Sequence, residues 1–432
     1  MKTFLIRLIL VIERNQLIAT LKEQYETFAA RDLGVEREIL PKLKKIIGAP
    51  QVTVITGLRR VGKSTLLTQI AQKYLRNGFY FVNFEDERLL NFQVKDFDSL
   101  HETLVYLFGE KKTFLLDEIQ NVPEWERFVR RLHDQGYKFI VTGSNASLLS
   151  QELGTRLSGR SLRVELFPFS FREFLIFRKV KPPSLLAPSA RERGRYQKLA
   201  REYLLAGGIP DALKYPDLPI HKTLYDDVLY RDIATRYKLE NVKSLQELAF
   251  FLVSNLASLI SFNKLKDLLK LGSVNTVSSY LGYLENSWLF FVINQYAYSV
   301  KKQQIAAKKL YGIDTGLAKA VGFAFSQNLG KLMENAVFLA LRRQAQAIYY
   351  YKTTQGFEID FYLPVQRALI QVAERLDTPA IIDREQRALI AAQHELKQIR
   401  KLTIITTGER QELRSNGIKI QIVPLYEWLL KI

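Results

Sequence analysis

The sequence contains no cysteine, and it lacks any long uninterrupted apolar run. Without cysteine the chain forms neither disulfides nor thiolate zinc sites, and it has no cysteine nucleophile. The stretch from Leu248 to Phe262 is interrupted by serine and asparagine, so it is too short and too polar to span a bilayer. Arg7 interrupts the apolar start and no small-residue cleavage site follows, which argues against a signal peptide. These absences predict a cytoplasmic protein that does not enter membranes.

The composition describes a multidomain protein with an unusual charge. At 432 residues the chain is too long for one hydrophobic core, so several domains are expected. Its hydrophobic share of 47% and its charged share of 25% are those of an ordinary globular protein. The formal net charge of +19, however, is far from zero and favours polyanionic partners. Because no basic amphipathic helix stands out, nucleic acid is the preferred partner over a membrane surface.

The most specific motif is the segment 57–65, which reads G-x-x-x-x-G-K-S-T. A β-branched strand precedes it and a helix follows, so backbone N–H groups and a helix N-terminus surround one set of phosphates. Lys63 is expected to reach the β- and γ-phosphates, while the Ser64 hydroxyl ligates Mg²⁺. Arg59 and Arg60 either orient the loop or touch a partner. The predicted residues of this ATP and Mg²⁺ site are Gly57, Arg59, Arg60, Val61, Gly62, Lys63, Ser64 and Thr65.

A second apolar strand ends in two adjacent carboxylates, Asp117 and Glu118. Asp117 is expected to hold Mg²⁺ through its water shell, and Glu118 to polarise the attacking water. The next buried strand ends at Ser144 and Asn145, where a side chain either senses the γ-phosphate or caps the following helix. We therefore predict catalytic roles for Glu118, Lys63 and Asn145.

Two arginines, Arg156 and Arg160, lie on a glycine-flanked segment before the strand 162–166. An arginine that reaches the γ-phosphate of a neighbouring subunit stabilises the charge of the transition state. Arg160 is the preferred candidate, and a solvated arginine that binds nothing is the alternative. The first interpretation predicts a catalytic Arg160 and a homo-oligomer.

Several segments together carry a resemblance to a large prokaryotic family: 57–65, 115–126, 142–146, and 157–160 followed by 166–175. The members of that family are AAA-type P-loop ATPases with a C-terminal domain of unknown function that looks like a restriction-endonuclease fold. The resemblance covers nearly the whole chain, and its most specific part runs from Asp117 to Trp125. It implies an α/β fold class in which a parallel P-loop sheet with helices on both faces precedes a helical lid, a winged-helix segment and an α/β nuclease-like domain.

Connectors rich in proline or glycine divide the chain further. A Pro/Ser-containing connector at 181–189 ends the strand–helix alternation, and a glycine-rich joint spans 312–322. The predicted segments are an N-terminal helical arm (1–49), an AAA-type P-loop core (50–178), a helical lid (179–238), a winged-helix domain (239–312) and a degenerate endonuclease-like domain (325–432).

The segment 262–281 reads as a helix, a tight turn and a second helix. Asn275 and Thr276 start the second helix, where small polar side chains of a recognition helix touch a groove. The runs 288–293 and 296–298 resemble the two sides of a wing. No acid lies between 294 and 312, so this stretch is predicted to contact DNA phosphates, and contact with another domain or subunit is the alternative. The lysines expected near the wing tip are Lys301, Lys302, Lys308 and Lys309.

The resemblance also implies what a metal-dependent nuclease would need from the last domain. Such a site takes an acid from the first helix, an Asp from one strand, and an acid and a lysine at i and i+2 of the next strand. Glu334 and Asp360 fill the first two positions, but Gln371 and Ala373 occupy the others. An amide is a poor Mg²⁺ ligand and alanine cannot activate water, so the domain is predicted not to cleave. Lys352 is the alternative lysine that could enter the site.

These motifs predict an Mg-dependent ATP-binding and ATP-hydrolysing AAA-type protein that associates with DNA. The alternative is a nucleotide-gated signalling or assembly switch that does not act on DNA. The intact pair Asp117 and Glu118 argues against a third possibility, a non-catalytic scaffold.

Overall fold

The computed structural model of the chain describes residues 13–144, 157, 159–183, 189–323, 328–344, 347–415 and 417–431. The chain forms two compact units, of which the first ends at Leu166 and the second begins at Phe167. In the described ranges, no helix is both long enough and apolar enough to cross a bilayer.

The first unit is built on parallel strands in the order β2-β3-β4-β1-β5, counted over the described residues. These strands are β1 (Val52–Thr56), β2 (Phe79–Asn83), β3 (Thr113–Asp117), β4 (Lys138–Gly143) and β5 (Ser161–Glu165). Most of their side chains are buried because helices cover both faces of such a sheet. Since β4 lies between β1 and β3, the ends of these three strands lie together at one edge. The predicted parallel sheet is confirmed.

Helices pack on this sheet through aromatic side chains. They are α1 (Arg14–Ala29), α2 (Leu40–Gly48), α3 (Lys63–Ile70), α4 (Phe97–Phe108) and α5 (Trp125–Asp134). Phe28 of α1 stacks on Phe81 of β2 with ring centroids 4.0 Å apart, and Phe97 of α4 stacks on Phe128 of α5 at 4.3 Å. A stacked pair buries a large apolar area in a fixed geometry, so these contacts hold α1 against β2 and α4 against α5.

The second unit begins with helices and continues into a helix-turn-helix region. Its helices up to that region are α6 (Phe171–Phe177), α7 (Ala190–Ala206), α8 (Pro210–Lys214), α9 (Ile220–Asp227) and α10 (Val242–Ser254). Next in the chain come β6 (Ser258–Ile260), α11 (Phe262–Leu268), α12 (Val274–Asn286), β7 (Phe290–Ile293), α13 (Val300–Ile305) and β8 (Lys308–Gly312). From α10 to β8, with α13 left aside, the order is helix, strand, two helices and two strands. This is the order expected for the predicted winged-helix segment, and the strands pair antiparallel as β6-β8-β7.

The wing differs from the prediction in its second side. β7 pairs with β8, not with the run 296–298, and α13 lies in the connection between the two strands. The Tyr296 ring instead packs edge-on against Tyr349 and Tyr362, and the Tyr296 N–H donates to the Tyr350 carbonyl at 2.8 Å. Aromatic packing therefore removes this segment from the wing.

The last part of the second unit is a mixed sheet flanked by helices. Its strands, in the order β13-β14-β12-β11-β10-β9, are β9 (Tyr349–Lys352), β10 (Glu358–Leu363), β11 (Ala368–Val372), β12 (Lys401–Thr406), β13 (Gln411–Ser415) and β14 (Ile418–Pro424). Its helices are α14 (Thr315–Val321), α15 (Leu329–Arg342), α16 (Pro379–Glu395) and α17 (Leu425–Lys431). β10 and β11 form the predicted hairpin, whereas β11, β12 and β14 run parallel. The parallel strands therefore end at a common edge, which α17 follows.

Candidate nucleotide site and the lysine cluster

The loop after β1 owes its shape to two glycines. A Cβ on Gly57 would lie 2.2 Å from the Leu166 carbonyl oxygen, so no larger residue fits beside the chain that leaves β5. Gly62 has φ of 94°, a left-handed conformation that glycine adopts without strain. α3 begins at the next residue, with Lys63, Ser64 and Thr65 in its first turn. The loop N–H groups and the helix N-terminus therefore form the predicted phosphate-binding geometry.

Lys63 lies at the centre of the site and is 4% exposed. Its Nζ lies 3.3 Å from the carbonyl oxygens of Gly57 and Leu58 and 3.2 Å from Glu118 Oε1. The sequence places Lys63 and Glu118 far apart, and the fold brings them together because β4 separates their strands by a single position. A buried ammonium ion at the mouth of this loop can bind phosphate oxygens.

Asp117 is held by two hydroxyl groups. Thr142 Oγ1, at the end of β4, donates to Asp117 Oδ1 at 2.6 Å, and the Ser64 side chain is hydrogen-bonded to the same carboxylate. Burial raises the pKa of Asp117, and the negative charge of Glu118 adds to this effect, while the two hydroxyls and Lys63 oppose it. A positive ion beside this carboxylate would favour its ionised form.

Glu118 has the opposite electrostatic balance. Burial alone would raise its pKa, but the positive charge of Lys63 and a hydrogen bond from Gln120 bring the pKa below its ordinary value. Its backbone has φ of 49°, and its N–H donates to Thr142 Oγ1 at 2.9 Å. The carboxylate therefore stays ionised near neutral pH, as a group that polarises water must.

Two residues that support the site escaped the sequence prediction. Thr142 contacts both Asp117 and the Glu118 backbone, although the prediction at this strand end concerned Ser144 and Asn145. Ser144 lies 3.5 Å from Gln120 Nε2, whereas Asn145 lies outside the described residues. Thr142 can be identified as a supporting residue because β4 lies between β1 and β3, the strands that carry the two motifs. The sequence alone does not give this strand order.

Arg37 is the second such residue, and it comes from the segment before α2. Its guanidinium is buried and donates to the Val61 carbonyl at 2.7 Å. Its N–H donates to Gln69 Oε1 on α3 at 3.2 Å. The segment before α2 thus contacts the phosphate-binding loop. The sequence does not indicate this contact because the two segments lie far apart in the chain.

The predicted arginines lie in different places. Arg59 pairs with Glu85 at 3.4 Å, and Arg60 has φ of 62° within the loop. Arg160 lies at the opposite edge of the sheet, because its carbonyl accepts a hydrogen bond from the N–H of Val52, the first residue of β1. Five residues of strand separate that edge from the loop, roughly 16 Å at about 3.3 Å per residue. Arg156 lies outside the described residues.

Some of the predicted DNA-contacting side chains are exposed, and others contact neighbouring side chains of the protein. Asn275 on α12 and both Lys301 and Lys302 on α13 are exposed. The Thr276 hydroxyl lies 3.1 Å from that of Ser273, which caps α12. Lys308 is half-buried and donates to Asn294 Oδ1 at 2.6 Å.

Lys309 does not lie at the wing tip, so its predicted DNA contact is wrong. It is 2% exposed, and its ammonium contacts three carboxylates: Glu334 Oε1 at 2.9 Å, Glu358 Oε1 at 2.8 Å and Asp360 Oδ1 at 2.8 Å. The lysine thus comes from β8, and the three acids come from α15 and β10. We call these four residues the lysine cluster. Burial of such a charge is tolerated because opposite charges surround it.

The lysine cluster is also hydrogen-bonded around its edge. The Tyr311 hydroxyl donates to Glu334 Oε1 at 2.7 Å, and burial together with Asp360 raises the pKa of Glu334 to about 8. Gln371 accepts a hydrogen bond from the Asp360 N–H at 3.2 Å, while Ala373 packs in the hydrophobic core. Glu358, two residues before Asp360 on the same strand, is an acid that the sequence analysis missed and that an i, i+2 search would find.

Comparisons with known proteins find family models, relatives and a solved structure that are similar to this chain. A family model described as an AAA domain matches residues 49–175, and models of two domains of unknown function, DUF8612 and DUF4143, match 197–328 and 329–428. An uncharacterised protein of Methanocaldococcus jannaschii is 33% identical over 403 residues, which are 88% of this chain and 88% of that protein. One of Haemophilus influenzae is 30% identical over 395 residues, 88% of this chain and 94% of the relative. A Walker-type ATPase of Pyrococcus abyssi aligns with a TM-score of 0.38 and 15% identity over 72% of this chain and 96% of that chain.

The parallel sheet and the phosphate-binding loop define an AAA-type P-loop protein. More narrowly, the chain belongs to one prokaryotic family with the two relatives just described, and its own AAA domain is followed by the domains of unknown function DUF8612 and DUF4143. The family resemblance inferred from the motifs is therefore confirmed.

Proposed function

We propose that this protein is an Mg-dependent ATPase that associates with DNA. One observation carries the catalytic part: Lys63, Ser64, Asp117 and Glu118 converge at one edge of the sheet through direct contacts. In this assignment Lys63 and the loop N–H groups bind phosphates, and Glu118 takes up the proton of the attacking water. The ion pair with Lys63 keeps that carboxylate in place.

The residues present fit Mg²⁺. A carboxylate and a hydroxyl are the oxygen ligands that this ion prefers, and Asp117 and Ser64 are hydrogen-bonded to each other. When bound, Mg²⁺ would supply positive charge that offsets the negative charge of the phosphates. Thr142 fixes the orientation of Asp117, so the N-terminal end of α3 and the end of β3 present their oxygens to one point.

The exposed residues of the winged helix support the DNA part of the proposal. Asn275 is free to face a groove, and Lys301 and Lys302 on α13 present positive charge in a segment without acids. Lysines that neutralise phosphates give affinity that falls with salt concentration. Because Lys309 is buried and Lys308 is hydrogen-bonded to Asn294, the proposed DNA-binding surface has two exposed lysines and not the predicted four.

We expect duplex DNA to stimulate ATP hydrolysis, and the double substitution Lys301→Ala and Lys302→Ala to weaken DNA binding. Removing two phosphate contacts should reduce the slope of log K against log salt by roughly two. Fluorescence anisotropy at several salt concentrations measures the slope. Lys243→Ala, an exposed lysine of α10, is the matched control. Absent or salt-independent DNA binding would favour the nucleotide-gated switch instead.

We propose that Arg160 acts in trans in a homo-oligomer. It lies at the edge of the sheet opposite to its own loop, so a nucleotide role needs a second chain. Arg160→Ala and Lys63→Ala proteins, each inactive alone, should recover part of the ATPase rate when mixed, because one intact site assembles from two chains. Mixing Lys63→Ala with Glu118→Gln is the control, since both changes damage the same half of the site. No recovery, with a monomer seen by light scattering in ATP, contradicts the proposal.

We also propose that the last domain does not cleave DNA. The lysine cluster supports this, because the ammonium of Lys309 directly contacts the two predicted acids, Glu334 and Asp360, and Glu358 beside them. Purified protein should leave supercoiled and single-stranded DNA intact in Mg²⁺ or Mn²⁺. Nicking that is lost in Asp360→Ala but kept in Asp377→Ala, an exposed acid, would show a live site.

A further inference from the structure

A cavity of about 360 Å³ lies at the carboxyl edge of the parallel strands in the second unit. Glu374 and Arg375 follow β11, Thr407 follows β12, and Leu425 and Tyr426 begin α17 directly after β14. All three parallel strands thus contribute to one concave site. Ligands of open α/β sheets bind in the crevice outside these strand ends.

One face of α7 closes the cavity on the other side. Gln197, Lys198 and Arg201 lie on that face at helical spacing. Gln197 Nε2 donates to the Thr407 carbonyl at 3.2 Å, and the Thr407 hydroxyl donates to the Glu374 carbonyl at 2.6 Å. These bonds fix the helix and both strand ends, so the cavity is formed by an ordered wall.

The charges around the cavity are mostly positive. Lys198, Arg201 and Arg375 oppose a single carboxylate, Glu374. Arg375 approaches Asp377 only at 3.8 Å, and within the described ranges Lys198 and Arg201 make no ion pair or hydrogen bond. Because a cleft lined mainly by one sign of charge focuses its field, these cations attract an anion more strongly than cations spread over a flat surface.

The floor of the cavity is apolar. Leu204, Leu329 and Leu425 line it together with Tyr426, which is almost fully buried. A second cavity of about 290 Å³ shares Arg375 and Thr407 with the first. A volume of this order, with an apolar floor and a few polar groups at the rim, suits an organic molecule of nucleotide size.

We propose that this cavity binds a nucleoside monophosphate, with the phosphate at Lys198, Arg201 and Arg375 and the nucleoside on the apolar floor. The site is separate from the phosphate-binding loop, so the chain would have a second nucleotide site in its second unit. A ligand bound there would bridge α7 and the sheet of the last domain.

The test uses the full chain with Lys63→Ala, which removes binding at the loop. We expect calorimetric titration with the four nucleoside 5′-monophosphates to detect one site for at least one of them. Arg201→Ala with Lys198→Ala should weaken that binding by at least about tenfold, since two charged hydrogen-bond donors to the phosphate are removed. Arg195→Ala, an exposed arginine of the same helix outside the cavity, is the control and should change nothing.

Three results would overturn the proposal. The first is that none of the four nucleotides binds to the Lys63→Ala protein. The second is binding that Arg201→Ala and Lys198→Ala leave unchanged. The third is inorganic phosphate binding as tightly as the nucleotide, which would remove the role of the apolar floor. None depends on ATP hydrolysis, so a failed ATPase proposal leaves the test intact.

Discussion

Glu118→Gln protein should bind ATP with nearly unchanged affinity and hydrolyse it about 10²–10⁴ times more slowly, because general-base catalysis has that magnitude. The amide keeps the size of the carboxylate but cannot accept a proton. Lys63→Ala should abolish nucleotide binding, since the cation that reaches the phosphates is removed. Binding of a fluorescent ATP analogue and phosphate release under single-turnover conditions separate the two effects.

The control for this experiment is Glu124→Gln, six residues further along. Glu124 is half-buried and pairs with Arg127 at 3.0 Å, outside the contacts of the site. It should retain both binding and turnover. Full hydrolysis by the Glu118→Gln protein would instead show that another group, of which Asp117 is the nearest carboxylate, polarises the water.

Lys309→Met protein should lose about 3–5 kcal/mol of unfolding free energy, the range for breaking a buried ion pair by removing one partner. Methionine matches the length of lysine but leaves Glu334, Glu358 and Asp360 without their cation. Calorimetry of the full chain, with the transition of the second unit followed at several urea concentrations, measures the loss. The expected change is larger than that of an ordinary surface substitution, which is usually within about 0.5 kcal/mol.

Lys308→Met is the matched control, since the neighbouring lysine is half-buried and its ammonium donates to the neutral Asn294 side chain. It should lose far less stability. Adding Asp360→Asn to Lys309→Met should restore part of the loss, because it removes one of the uncompensated charges. A loss no larger than that of Lys308→Met would mean that water already screens the lysine cluster.

The sequence was a good guide where a motif is local. A glycine-rich loop between a β-branched strand and a helix fixes its own geometry, so the segment 57–65 predicted the site around Lys63 and the start of α3. An apolar strand that ends in two acids similarly predicted Asp117 and Glu118. These chemical requirements are met within about ten residues, and no distant contact is needed to recognise them.

The supporting residues of the same site could not be identified from the sequence. Arg37 lies 24 residues before Val61, the loop residue that it contacts. Thr142 lies 25 residues after Asp117, the acid to which it donates. Such partners are set by strand order and by the path of the arm, which periodicity does not encode. The same limit applied to the wing, where aromatic packing of Tyr296 displaced the predicted strand.

Only the tertiary structure decided whether Lys309 is solvated or buried. By itself the sequence determined the family, the phosphate-binding loop and the lack of an acid–lysine pair at 371 and 373. A lysine in a stretch without acids looks solvated, and Lys309 follows Lys308 without any difference in pattern. Strand alternation turns one side chain outward and the next inward, and the fold places three carboxylates at the inward position. Whether a lysine meets DNA or a buried acid therefore depends on residues up to 51 positions away.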